Sequence, residues 1–289
     1  MTDSSRRNFL RGAFQSAARA AIRTKDAMEE EIATPPVTPL LSEAEIERYS
    51  RQLALPEWGE REQILLRDAS VLVVGTGALG TPVAQYLVGA GVGRIGLVDS
   101  DVVEVSNLHR QPLHFTPDLG VPKVESAAAK LRFLNPDVLI EPYQVRLDAE
   151  NATGLIEGQD LVIDCSDSFE TRYAVNAACC AAGVPLVEGG VTGLTGIVMA
   201  IRPSHTACYR CAFPTPPPPD ARPSCAEAGI LGPAAGVVGS LQGLEALKLL
   251  AGLPALTDAF LQIDLALLDF LRVAVRRRPD CEDCAPRSL

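Results

Sequence analysis

Gly75-Thr76-Gly77-Ala78-Leu79-Gly80 is the stretch of this 289-residue sequence whose spacing most directly points to chemistry. Glycines at its first, third and sixth positions (Gly75, Gly77, Gly80) let backbone approach a phosphate. A helix opening there offers free N–H groups and the positive end of its dipole. Asp99 follows about 20 residues on, where an acid can meet ribose hydroxyls. Alone, this pattern suits NAD as well as ATP. A second group of reactive side chains is the two C-x-x-C pairs, Cys208/Cys211 and Cys281/Cys284. Two such pairs in a long, core-rich chain read as a metal site in a reducing compartment rather than as a disulfide scaffold.

These residues need a frame. From Ser70 onward, apolar runs alternate with helical patterns. The alternation predicts strands at 71–74, 94–98, 138–143, 161–165 and 184–187, with helices over 79–89, 123–134, 149–156 and 169–182. After Gly196 it changes to a strand at 196–201, a proline-rich loop at 214–223, an apolar helix over 237–250 and strands at 259–263 and 267–275. Ahead of them, Ser42-Glu43-Ala44-Glu45 matches a capping box and starts a helix running into Tyr49. The fold class expected is α/β: a Rossmann-like, mostly parallel sheet with helices on both faces, extended by antiparallel C-terminal strands.

Composition removes other classes. A formal charge of −10 argues against nucleic acid, which needs a basic surface. A hydrophobic content of 47% is enough for a large core. No apolar run reaches the roughly 18 to 20 residues of a transmembrane segment. Residues 1–40 read as a separate basic tail ending in a linker that contains Pro35, Pro36 and Pro39. Ser5-Arg6-Arg7-Asn8-Phe9-Leu10-Arg11 looks like a twin-arginine signal, yet the stretch after it lacks a strong apolar region. Arg7, Arg11, Gln15, Arg19 and Arg23 recur every four residues, as on one face of an amphipathic helix. A cytoplasmic location is the expectation.

Beyond the second strand, Asp99-Ser100-Asp101-Val102-Val103-Glu104-Val105-Ser106-Asn107-Leu108-His109-Arg110-Gln111 resembles the MoeB/ThiF/HesA family, relatives of the ubiquitin-activating enzymes. Other blocks match in order: Arg48-Tyr49-Ser50-Arg51-Gln52, Gly120-Val121-Pro122-Lys123, Asp164-Cys165-Ser166-Asp167, Cys208-Tyr209-Arg210-Cys211 and Cys225-Ala226-Glu227-Ala228-Gly229. The resemblance spans roughly residues 43–284. It implies an adenylyltransferase that uses ATP and Mg²⁺ to activate the C-terminal carboxylate of a ubiquitin-like sulfur-carrier protein with a Gly-Gly tail, in molybdopterin or thiamine biosynthesis.

Residue by residue, the resemblance makes Asp99, Ser106 and Asn107 nucleotide-binding, with Arg110 and Lys123 as phosphate ligands and Asp167 as the Mg²⁺ ligand. Arg51 resembles an arginine that reaches the ATP of the other subunit in a homodimer. Cys225 resembles a cysteine that attacks the adenylate or joins a persulfide in some members. Cys208, Cys211, Cys281 and Cys284 resemble a structural Zn²⁺ site stapling the C-terminal segment to a domain spanning 41–289. The chain departs from the family at Ser168, where asparagine is usual. No sulfurtransferase module follows Leu289, so a separate sulfur donor is expected. Two other readings remain at this point: an NAD-dependent oxidoreductase, resting on the glycine motif and Asp99 alone, and a non-catalytic carrier-binding scaffold of the same fold.

Overall fold

A computed structural model describes residues 41–218 and 229–285. Helix α1 (Glu43–Leu53) starts where expected, with the Ser42 amide donating to Glu45 Oε2 at 2.7 Å and the Glu45 amide to Ser42 Oγ at 3.3 Å. Helix α2 (Glu60–Asp68), not anticipated from the sequence, follows. Its apolar pattern is short, and its most buried polar residue, Gln63, donates to the Ala90 carbonyl at 2.8 Å instead of facing solvent.

The βαβ alternation then runs β1 (Ser70–Val74), α3 (Gly80–Ala90), β2 (Arg94–Val98), α4 (Lys123–Leu134), β3 (Leu139–Tyr143), α5 (Ala152–Ile156), β4 (Leu161–Asp164), α6 (Phe169–Ala182) and β5 (Leu186–Thr192). The chain continues through β6 (Thr195–Ile201), α7 (Tyr209–Ala212), α8 (Gly232–Leu250), β7 (Ala259–Asp264) and β8 (Asp269–Ala274).

The eight strands form one sheet in the order β3-β2-β1-β4-β5-β6-β7-β8. β3 to β5 are parallel, and β6, β7 and β8 add on antiparallel. This is the architecture expected. Strand β5 continues past the predicted end at 187 to Thr192, because Gly189 and Gly190 pair with Val198 and Ile197 of β6. Helix α8 begins five residues earlier than predicted, at Gly232, with Pro233 in its first turn, where a missing N–H costs nothing.

Each face of the sheet buries its own core. Val71, Val73, Ile95, Leu97 and Ile163 pack with α3, α4 and α8, whereas Leu72, Val74, Val162 and Leu186 pack with α5, α6 and the cysteine-bearing segments. Burial on both faces explains the near-continuous aliphatic runs of β1 and β4. Strand order reverses between β1 and β4, since β1 leads towards β2 and β4 towards β5. A crevice therefore opens at their carboxyl ends, the place where open α/β sheets hold ligands.

Candidate active site

A cleft of about 410 Å³ occupies that crevice. Its floor is the turn from β1 to α3. Gly75 has φ +92°, and a Cβ there would lie 2.9 Å from the Cys165 carbonyl oxygen. Both facts require glycine. A Cβ on Gly80 would overlap the Gly75 carbonyl, so the helix can start this close to the turn only without a side chain. Asp99, at the end of β2, accepts at Oδ2 from the Thr76 amide (2.8 Å) and hydroxyl (3.0 Å), and at Oδ1 from the Asp101 amide at 2.9 Å. The acid is thus fixed beside the glycine turn before any ligand arrives.

Two cations line the same cleft. Lys123 is the first residue of α4 and only 6% exposed. A helix N-terminus favours negative charge, so a buried ammonium there requires anionic company. Asp101 provides it, with Lys123 Nζ donating to Oδ2 at 2.8 Å and the Lys123 amide to the Asp101 carbonyl at 2.9 Å. Arg110 lines the same cleft, its Nη1 donating to the Ser106 carbonyl at 2.6 Å. Asn107 also lines it, and its Oδ1 accepts from the Glu104 amide at 3.2 Å, which holds the single turn that carries Arg110.

Asp167 faces the cations from the turn after β4, exposed and on the cleft wall. An exposed carboxylate on that wall fits the needs of a hard divalent ion. Ser168, the departure from the family pattern, caps α6 by accepting from the Thr171 amide at 3.3 Å. Serine and asparagine are near-equal helix caps, so the exchange keeps the turn.

Gly75, Gly77, Asp99, Asn107, Arg110, Lys123 and Asp167 therefore line one cleft. Gly80 supports the turn from behind. Ser106 is not on the wall: its hydroxyl donates to Glu104 Oε2 at 3.2 Å, and it contributes a carbonyl to Arg110 instead. Arg51, exposed on the last turn of α1, does not reach the cleft of its own chain. Cys225 and the tail 1–40 lie outside the described residues.

The four cysteines do converge. Sγ separations are 3.8 Å for Cys208–Cys211, 3.5 Å for Cys208–Cys281 and 3.4 Å for Cys211–Cys284, with all four atoms within 4.8 Å of one another. Four Zn–S bonds of about 2.3 Å in a tetrahedron would space the sulfurs by about 3.8 Å, so the buried cluster fits such an ion and leaves no open coordination position. Asp283 braces the two knuckles against α6, accepting from Arg210 Nε at 2.8 Å and from Asn176 Nδ2 at 2.7 Å. Burial pushes the Cys165 and Cys179 thiols well up, as befits inert core residues.

The sequence model of the ThiF family matches residues 49–283. The chain belongs to the ThiF family. Among curated relatives, the sulfur carrier protein adenylyltransferase of Thermus thermophilus is 50% identical over 246 residues, covering 83% of this chain and 91% of that protein. The adenylyltransferase and sulfurtransferase MOCS3 of Sus scrofa is 50% identical over 259 residues, which cover 87% of this chain but only 57% of that longer protein. In fold, the chain resembles the crystal structure of E. coli MccB with ATP (TM-score 0.73, 22% identity, 82% of this chain and 74% of that one). It also resembles the structure of PaaA (TM-score 0.69, 20% identity, 91% and 83%).

Two cleft residues of this ThiF-family chain escaped the sequence reading. Gln111 is 4% exposed on the wall, and its Oε1 has no hydrogen-bond partner among the described residues. Its place next to Arg110 in the same motif was the available signal. Arg172, inside α6, carried none, because a lone arginine on an amphipathic helix reads as a solvated one.

Proposed function

We propose that this chain is the adenylyltransferase that activates the C-terminal carboxylate of a ubiquitin-like sulfur-carrier protein with Mg-ATP. One observation carries the reading: a glycine turn, a fixed ribose acid, two cations and a free carboxylate line a single cleft at the β1/β4 switch point. Relatives at 50% identity named as adenylyltransferases support it. An oxidoreductase would need the glycine turn and Asp99 but has no use for Arg110, Lys123 and Asp167 around them.

In this reading the adenosine ribose lies against Asp99 and the triphosphate runs over the glycine turn towards Arg110 and Lys123. The carrier's C-terminal carboxylate attacks the α-phosphorus. A carboxyl O–P bond forms, the bond to the β-phosphate oxygen breaks, and pyrophosphate leaves with the electron pair. No proton need move, so the protein's task is positioning and charge stabilisation. Lys123 and Arg110 balance the charge growing on pyrophosphate. Asp167 would hold Mg²⁺, which supplies Lewis-acid neutralisation of the phosphates when bound. The cysteine cluster would hold a structural Zn²⁺ and staple the C-terminal segment onto a domain spanning residues 41–289, with residues 1–40 a separate tail.

The protein acts as a homodimer in which Arg51 completes the partner's site. Cys225 takes part in transferring the activated carrier to sulfur brought by a separate donor, and the carrier has a Gly-Gly terminus and serves molybdopterin or thiamine biosynthesis in the cytoplasm. No helix among the described residues is long and apolar enough to cross a membrane. The deciding experiment is ATP–pyrophosphate exchange with candidate carriers: exchange that depends on carrier and Mg²⁺ is expected. Tight NAD binding with no exchange under any carrier would overturn the reading.

A further inference from the structure

From Arg172 on the cleft wall a buried charge cluster runs back into the sheet. β4 and β5 pair with Asp164 directly beside Glu188, so two carboxyls share one face of the sheet. Both are 0% exposed. Arg172 of α6 comes down on them, donating from Nη1 to Glu188 Oε1 at 2.9 Å and from Nη2 to the Ser166 carbonyl at 2.8 Å. The Tyr209 hydroxyl lies beside the same guanidinium. A Cβ on Gly190 would lie 2.7 Å from Arg172 Nη1, so β5 is bare where the guanidinium crosses it.

One guanidinium balances one carboxylate, and the second acid needs a proton. Asp164 Oδ2 and Glu188 Oε2 have no hydrogen-bond partner among the described residues, so two carboxylates here would each bury an oxygen without a donor. Burial pushes both acids up, Glu188 further. Asp164 is the better anion, since its Oδ1 accepts the Ser166 amide at 2.8 Å. One guanidinium beside two buried carboxyls favours a proton in the cluster, and Glu188 is the acid that burial pushes up further.

Its contacts all end on one short turn. Asp164 holds the Ser166 amide, Arg172 holds the Ser166 carbonyl, and the next residue is Asp167. We propose that Arg172, clamped by Glu188, is the positioning residue of the 166–168 turn and aims Asp167 at the metal-bearing triphosphate. The proposal rests on reading the cleft as a Mg-ATP site. Asp167 is exposed, so nothing in its own packing fixes its direction. A peptide gripped at both N–H and C=O does.

The test is calorimetric binding of a non-hydrolysable ATP analogue to the full chain, with Mg²⁺ and with EDTA; the ratio of the two affinities is the readout. Wild type binds more tightly with Mg²⁺, and Asp167→Ala removes that preference. Arg172→Lys keeps the charge but cannot reach Glu188 and the Ser166 carbonyl together. It should lower the ratio of the affinities with Mg²⁺ and with EDTA about tenfold or more, the usual effect of losing a residue that orients a metal ligand. Glu188→Gln, shaped like the protonated acid, should keep the preference, and Glu188→Ala should lose it. If Arg172→Lys does not fold, Arg172→Met with Asp164→Asn removes one charge of each sign and asks the same question. A purely structural arginine would lower melting temperature and leave the ratio alone. An unchanged ratio in folded Arg172 variants, or loss of the preference in Glu188→Gln, overturns the proposal. A wild-type chain that binds the analogue under neither condition would instead refute the Mg-ATP reading.

Discussion

Replacing Lys123 by methionine removes a charge from the cleft while keeping an unbranched chain at the head of α4. The structural cost should be small. Its partner Asp101 is 64% exposed, and a pair with one member in water contributes about 0–1 kcal/mol. Methionine also fills the space without an ammionium-sized ion to desolvate. The functional cost should be large. An ammonium about 4 Å from a phosphate oxygen contributes about 4 kcal/mol at an effective dielectric of about 20. That corresponds to roughly a thousandfold in rate if the interaction is made in the transition state.

Carrier-dependent ATP–pyrophosphate exchange by Lys123→Met should therefore fall by about 10³, with the melting temperature within about 4 °C of wild type. Asp101→Asn is the control, since it loosens the lysine without removing it, and exchange should fall by less than about tenfold. Exchange by folded Lys123→Met within tenfold of wild type would refute the assignment. A collapse of melting temperature would show that the Lys123–Asp101 pair is structural.

Purified under reducing conditions, the protein should carry about one zinc per chain by metal analysis, and Cys281→Ser should release it and lower the melting temperature. Glu188 provides a pH dependence whose sign is fixed. Its folded value lies well above 4.5, so it contributes stability that is complete below the ordinary carboxylate range and is lost as pH rises towards the folded value. Relative to Glu188→Gln, wild type should lose up to about 1.4 kcal/mol per pH unit as pH rises above the ordinary carboxylate range in denaturant titrations; Asp164, Arg172 and Tyr209, which face it, are common to both proteins. Parallel stability profiles would mean that the acid pair holds no proton. For the dimer, Arg51→Ala and Asp167→Ala should each abolish exchange, and mixing them after subunit exchange should restore it. Verified heterodimers without activity would place Arg51 outside the partner's site.

The frame of this fold was legible because burial on both faces leaves a strong signature. Strands at 94–98 and helices at 123–134 and 169–182 appear with the bounds expected, since apolar periodicity and local caps there agree. Helix α2 was not legible, because it is short and buries a glutamine, bonded to a helix-end carbonyl, beside Ile64 and Leu66. Nor was the far half of β5, where two glycines break the strand signal yet are what its neighbours require.

The site divides along the same line. Residues that line the cleft fall into short contiguous motifs because each loop at the sheet edge arrives with its own few side chains. Asn107, Arg110 and Gln111 come from one loop, Asp167 from another, Lys123 from the head of a helix. The groups that hold those loops follow a different rule. Asp164 meets Glu188 through the register of parallel strands, and both meet Arg172 through the packing of a helix over them. Neither spacing nor composition encodes that meeting. Ser106 shows the reverse case: it stands inside a ligand motif, yet its hydroxyl donates to Glu104 and its carbonyl accepts from Arg110. A motif therefore identifies the loop that reaches the cleft. Which atom of the loop does so, and what keeps it aimed, is decided by contacts across the sheet.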